Sequence, residues 1–316
     1  MGIIEFDNVT KVYGSSRKNV AIDSLDLSIE RGSFVGIMGP NGAGKSTALK
    51  ILTNITIPTF GSTKIREIDV YKNPGYALTG VGCLVDLPGF NYSHTPRQFF
   101  MSMGALIGLS REETDSETKR ILELMKMSQW ADQKIKKFSK GMKQRISIGQ
   151  AFMGEPEIMI FDEPMYGLDP LSAATVSDIL EGMRRDGGRN TVLMATHNFS
   201  DIGTICDSVA VLNKGKLVAH SSLESFYSGK KLSEITVKTV LPFSKKDIDD
   251  LFSEKYVKDM ITHDNEAKVT IEAGRMNKSC LVKKIIGMDV GVTEIVEENE
   301  MSKAYEEVLR RSENAD

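Results

Sequence analysis

Nine residues, Gly39, Pro40, Asn41, Gly42, Ala43, Gly44, Lys45, Ser46 and Thr47, put three glycines, a lysine and two hydroxyls into one short stretch. Glycines let the backbone curl so that consecutive N–H groups point at one anion. The spacing Gly39-x-x-x-x-Gly44-Lys45-Ser46 is that of a loop that wraps a polyphosphate, with Lys45 on the β- and γ-phosphates and the Ser46 hydroxyl on Mg²⁺. An apolar run at 33–38 precedes it and a helix-periodic run follows, so the loop joins a strand to a helix whose dipole favours the same anion. The plain alternative is a glycine-rich turn that binds nothing. Taken alone, the stretch implies nucleotide binding and nothing narrower.

Further along, EIMIFDE at 157–163 is a continuous apolar strand closed by Asp162 and Glu163. Ligands of open α/β sheets bind outside the carboxyl ends of their strands. Asp162 there helps to hold Mg²⁺, directly or through water. Glu163 polarises the attacking water as general base. Acidic residues also end many strands for no other reason than solvent. TVLMATH at 191–197 repeats the form and ends on His197, whose imidazole is placed to sense a terminal phosphate. A lone histidine after a strand otherwise has a structural role.

FSKGMKQRI at 138–146 sets Ser139 and Gly141 at the start of a basic helix, far along the chain from the phosphate loop. Unpaired N–H groups and the positive dipole end make such a start another anion holder. The bland reading is that Ser139 is an N-cap, which uses the same groups.

In order, GPNGAGKST, FSKGMKQR, IMIFDEP, YGLDP and ATH resemble the ATP-binding cassette (ABC) ATPases over roughly residues 1–225. The resemblance implies an α/β fold: a P-loop NTPase core with a mixed sheet and an inserted helical subdomain at about 90–150. It implies ATP and Mg²⁺, and two copies set head to tail around two ATP. Ser139 and Gly141 of one copy then grip the γ-phosphate held by the other, with Asp169 at the same interface. Tyr13 matches the aromatic that stacks on adenine; otherwise it is a strand aromatic packed in the core. Asp86 stands where the family usually has glutamine, so it approaches Mg²⁺ or the attacking water from a different distance. Lys140 and Met142 replace the commoner glycine and glutamine. Such signatures are familiar in exporter-type, antibiotic-like members with one cassette per chain. That implies an ATPase that homodimerises beneath an integral membrane permease on a separate chain. The permease would dock on the helical subdomain and the loop around Asp86–Gly89, and would choose the cargo.

The elements that must position these residues are legible in outline. Residues 3–30 alternate as strands, and 62–85 read as further strands with a turn at Asn73-Pro74-Gly75. Helical patterns occupy 95–109 and 116–127; the methionines of the first fit core packing better than a partner groove. A helix at 172–185, a turn at 187–188, a helix at 199–205 and a hairpin at 209–220 follow. After about Gly229 the character changes to strand 235–241, helix 245–252, strands 258–262 and 268–273, helix 280–287, strand 292–298 and a last helix 302–311. The order β-α-β-β-α-β is ferredoxin-like. The division expected is therefore 1–229 and 230–316, the second a small α+β accessory domain that packs to stabilise the dimer or, alternatively, regulates or docks a partner.

With 316 residues, 41% hydrophobic and 26% charged, the chain has the make-up of a globular protein of one large and one small domain. A net charge of −3 supplies no reason to bind nucleic acid. Three scattered cysteines fit a reducing compartment, and four histidines show no metal-ligand spacing. No apolar run nears the roughly 20 residues of a membrane span. The start reads as no signal peptide, and Phe6 sits where myristoylation wants Ser or Thr. The location expected is cytoplasmic, held to the inner face of the membrane through the partner. A soluble ABC-type ATPase working on DNA or the ribosome is the alternative; the coiled coils, tandem cassettes or basic extension usual there are not seen. Glu163 and His197 argue against a regulator without turnover.

Overall fold

The computed structural model describes residues 2–14, 19–86, 89–185, 189–227, 232–272, 275–288, 290–297 and 300–313. The chain divides into two compact units, Met1–Leu223 with Arg311–Asp316, and Glu224–Arg310.

The first unit opens with the antiparallel pair β1 (Ile4–Tyr13) and β2 (Asn19–Ile29). β3 (Phe34–Met38) is buried at every position, as a strand covered on both faces must be. It runs through the phosphate loop into α1 (Lys45–Leu52), then to β4 (Phe60–Ile65) and the short β5 (Ile68–Asp69). The turn expected at Asn73-Pro74-Gly75 is instead the start of a short helix, α2 (Pro74–Ala77). Pro74 occupies N1, where its missing N–H has no partner to lose and its fixed φ suits the helix.

After β6 (Val81–Leu84) come three helices, α3 (Pro96–Leu106), α4 (Arg111–Leu124) and α5 (Lys140–Ala151). α4 begins five residues before the Ser116 start expected from periodicity, because Ser110 and Glu113 form a reciprocal capping box. The unit continues through β7 (Ile158–Asp162), α6 (Pro170–Arg185), β8 (Thr191–Ala195), α7 (Phe199–Ile205), and the hairpin of β9 (Ser208–Asn213) and β10 (Lys216–Ser222); α8 (Leu223–Tyr227) follows and belongs to the second unit from Glu224 onward. The expected turn at 187–188 and the change of character near Gly229 lie outside the described residues.

Two sheets share one core. The outer sheet is antiparallel, in the order β2-β1-β4-β5. The central sheet is mixed, in the order β10-β9-β3-β8-β7-β6, parallel from β9 to β6 with β10 antiparallel at its edge. Ile4, Leu25, Ile37, Leu49, Ile160 and Leu193 are among the side chains buried between them. Parallel pairing has a direct consequence. The carboxyl ends of β3, β6, β7 and β8 all open on one edge, which gathers the phosphate loop, Asp86, Asp162–Glu163 and His197 from four distant stretches.

The second unit holds β11 (Leu232–Thr239), α9 (Lys245–Phe252), β12 (Val257–His263), β13 (Glu266–Glu272), α10 (Arg275–Ile286) and β14 (Val292–Glu297); α11 (Glu300–Glu313) follows. Its sheet is antiparallel throughout, in the order β12-β13-β11-β14, around Ile235, Val237, Leu251, Val269, Ile271 and Leu281. This is the ferredoxin-like arrangement expected from the β-α-β-β-α-β order.

Candidate functional site

α1 starts without a side-chain cap, and its N-cap residue, Gly44, has φ +105°. That backbone is open to glycine and costly for other residues. A Cβ there would also meet the Ala21 carbonyl at 2.5 Å. The first N–H groups of α1 are thus left to an external acceptor, which is what a phosphate needs. Around them lies a cavity of about 400 Å³ lined by Tyr13, Asn19, Ala21, Asn41, Gly42, Ala43, Gly44, Lys45, Ser46, Thr47 and Glu163. Gly39 and Pro40 form the base of the loop: their carbonyls accept from Lys45 Nζ at 2.7 and 3.2 Å. Burial holds the Lys45 ammonium below its ordinary pKa, and the Glu163 and Asp162 carboxylates oppose that shift. Tyr13 is 39% exposed at the cavity wall, with Lys11 Nζ 4.8 Å from its ring centre, so it is not packed in the core.

A second cavity, of about 320 Å³, shares Ser46 and Glu163 with the first and adds Leu84, Asp86, Lys140, Gln144, Asp162 and Tyr166. Here the Ser46 hydroxyl stands near the Asp162 carboxylate, close enough to favour its charged form. Burial raises the Asp162 pKa most; the Ser46 hydroxyl lowers it, while the charges of Glu163 and Asp86 add to the rise. Asp162 Oδ1 is buried without a hydrogen-bond partner. An orphaned carboxylate oxygen beside a hydroxyl is a donor set for a hard divalent cation, so these residues fit Mg²⁺. Asp86 is in the left-handed region, φ +66°, and its Oδ2 lies 2.8 Å from Lys50 Nζ on α1. Its carboxylate faces the cation site's cavity but is already paired.

Glu163 also has a left-handed backbone, φ +48°, just past β7, and its N–H donates to the Ala195 carbonyl at 2.8 Å. The kink turns its side chain to His197, whose Nδ1 lies 2.8 Å from Glu163 Oε1. With the carboxylate accepting, Nδ1–H donates and Nε2 is left for another partner. Behind His197, Asp201 accepts from Thr196 Oγ1 at 3.2 Å and Asn198 Nδ2 at 3.0 Å. Burial keeps its carboxyl above the usual range.

Ser139, Gly141 and Asp169 line neither cavity; they gather with one another. Ser139 caps α5, accepting from the Met142 N–H at 3.2 Å, as the N-cap reading has it. Asp169 accepts from Ser172 N–H and Oγ at 3.0 and 2.6 Å, so the Ser172 hydroxyl holds its pKa down. A Cβ on Gly141 would lie 3.3 Å from Asp169 Oδ2. Sequence reasoning did not single out Asn19, Lys50, Gln144, Tyr166 or Asp201. Asp201 had a signal, three residues past the helix-capping Asn198, where an acid suits the first turn; the others meet the site only through the tertiary fold.

A family model described as ABC transporter matches residues 22–166. The bacitracin transport ATP-binding protein of Bacillus licheniformis is 32% identical over 217 residues, 68% of each chain. The chain belongs to the ABC transporter family. It is an ABC-type ATPase, and the family's cassettes bind ATP with Mg²⁺. The linearmycin resistance ATP-binding protein of Bacillus subtilis is 27% identical over 279 residues, 87% of each chain, and so extends the likeness into the second unit. A dimeric ATP-binding cassette in a post-hydrolysis state with ADP and Pi superposes with a TM-score of 0.64 at 25% identity, covering 70% of this chain and 98% of that one. Among the described residues no helix is long and apolar enough to cross a membrane.

Proposed function

We propose that this ABC ATPase is the energy-supplying subunit of an exporter, that it works as a homodimer, and that it couples to an integral membrane subunit on another chain at the inner membrane face. One observation carries the reading. Within one chain the phosphate-loop cavity lacks Ser139, Gly141 and Asp169, which sit together elsewhere on the same unit. Each protomer holds two half-sites, and two head-to-tail copies make two whole ones.

In that assembly Tyr13 stacks on the adenine and residues 39–47 wrap the phosphates. Lys45 leaves the Gly39 and Pro40 carbonyls for phosphate oxygens. Ser46 and Asp162 hold Mg²⁺, which when bound neutralises charge on the phosphates. Asp86 stands beside them, held by Lys50. Glu163 takes the proton of the attacking water, and His197, anchored on Glu163 through Nδ1–H, reaches the γ-phosphate by donating Nε2–H, which the ring carries beside Nδ1–H only when both nitrogens are protonated. Ser139 and Gly141 of the other copy close over that phosphate, with Asp169 at the seam.

Export rather than import rests on the FSKGMKQR signature and on relatives named for antibiotic transport and resistance. The membrane subunit docks on α3–α4 and the loop after β6, where Tyr92 is 53% exposed; Leu87 and Pro88 of that loop lie outside the described residues. The second unit is an accessory domain. Glu163→Gln tests the chemistry: hydrolysis falls about 10²–10⁴-fold while ATP binding persists and a dimer accumulates. Unchanged turnover would overturn the general-base role. Detergent extracts that never yield this chain with an integral membrane protein would overturn the transport role.

A further inference from the structure

We propose that Tyr166 is a positioning residue for the Glu163–His197 pair, and that Lys140 is the group through which the start of α5 acts on it. The trigger rests on the two-copy reading above; the contacts themselves lie within one chain.

Residues 164–169 join the start of α5 to the catalytic edge of the sheet at three points. Gln144 Nε2, buried, donates to the Pro164 carbonyl at 3.0 Å. Lys140 Nζ lies 4.6 Å from the centre of the Tyr166 ring. Gly141 abuts Asp169. Gly167 makes the second contact feasible. Its φ is +76°, and a Cβ there would fall 2.6 Å from Lys140 Cε and 2.7 Å from Nζ. Any larger residue would push the lysine off the ring.

The other side of Tyr166 meets the catalytic pair. Its ring stands edge-on to His197, with centroids 6.4 Å apart at 61°, and its N–H donates to the Glu163 carbonyl at 3.1 Å. The ring is 62% exposed, so core burial does not account for an aromatic here. What it does have is a cation on its face and an imidazole at its edge. Lys140 lies between Ser139 and Gly141. A phosphate brought to those residues by a second copy competes with the ring for the same ammonium. When Lys140 turns to the phosphate, Tyr166 loses the cation that holds it and its edge contact with His197 relaxes. The nucleotide gripped by one protomer's α5 thereby adjusts that protomer's own Glu163–His197 pair, and the two ATP sites are coupled.

Three variants test this: Lys140→Met keeps the stem and removes the charge, Tyr166→Leu removes the ring, and Tyr166→Phe keeps it. The first readout is the His197 ring resonance in nucleotide-free protein, assigned among the four histidines with a His197→Asn reference. Lys140→Met and Tyr166→Leu shift it; Tyr166→Phe leaves it in place. The second is Mg·ATP turnover. The same two variants change kcat by about two- to fivefold, the range of one exposed cation–π contact, with KM little changed and the Hill coefficient falling toward one. Tyr166→Phe retains the parent values. A His197 resonance unmoved by Lys140→Met, whose side chain is exposed and whose loss spares the fold, overturns the proposal. So does a Phe variant as impaired as the Leu variant. A His197 shift in a parent whose Hill coefficient is already one supports the contact chain and overturns the trigger, separating this proposal from the two-copy reading.

Discussion

Gly44→Ala should cost this protein both stability and nucleotide, and far more than Gly42→Ala two residues away. Both positions have positive φ, +105° and +82°. An alanine at either takes on left-handed strain of roughly 1–2 kcal/mol. At Gly42 that is all, because a Cβ there meets nothing within 4 Å. At Gly44 the Cβ lands 2.5 Å from the Ala21 carbonyl oxygen and 2.6 Å from Ile22 Cδ1, and Ile22 is fully buried. Relieving that clash adds about 1–3 kcal/mol of overpacking, so the total is roughly 2–5 kcal/mol. For a unit of this size each kcal/mol moves Tm by about 2–4 °C. Calorimetry should therefore place Gly44→Ala well below parent and Gly42→Ala only a few degrees below. Ala21 lines the phosphate cavity, so its displacement also weakens ATP. Titration with a fluorescent ATP analogue should show Kd raised at least about tenfold, equal to roughly 1.4 kcal/mol. A Gly44→Ala protein that melts no lower than Gly42→Ala would refute the packing on which the loop's shape depends.

Three further outcomes follow from the geometry. Ser139→Ala removes the α5 cap at a cost of about 1 kcal/mol, seen as a small drop in Tm, while ATPase activity falls far more than that loss of fold explains. In Asp162→Asn the added stability that Mg²⁺ gives to the ATP-bound protein disappears from a thermal-shift assay. Its nucleotide-free Tm does not fall: burial raises the Asp162 pKa in the folded state, so the ionised carboxylate opposes folding at neutral pH and a neutral amide does not. Among the thiols, iodoacetamide should label exposed Cys280 in the native protein and spare Cys206, which is buried and whose pKa burial drives far up, until the chain unfolds.

What could be read from sequence was whatever is contiguous. The phosphate loop, the Asp162–Glu163 pair and His197 each follow an apolar strand, and a parallel sheet places all such strand ends on one edge without further information. Ser139 was legible as a cap because capping is local. Asp86 was legible only as an odd residue; its ion pair with Lys50 joins residues 36 apart, one after β6 and one on α1, which only the tertiary fold brings together. Tyr166 opens the YGLDP stretch but gave no signal of what it touches, since its neighbours Lys140 and His197 come from different elements. The helix at Pro74 and the early start of α4 were local signals read too weakly: proline at N1 and Ser-x-x-Glu both announce a helix start.

The most direct test of the composite site mixes two crippled proteins. Lys45→Ala spoils the phosphate half and leaves Ser139 intact; Ser139→Arg does the reverse. Turnover of the mixture should rise above the sum of the two alone, because a mixed pair contains one site with both halves sound. A mixture no more active than its separate components would show that each chain cleaves ATP with its own residues only.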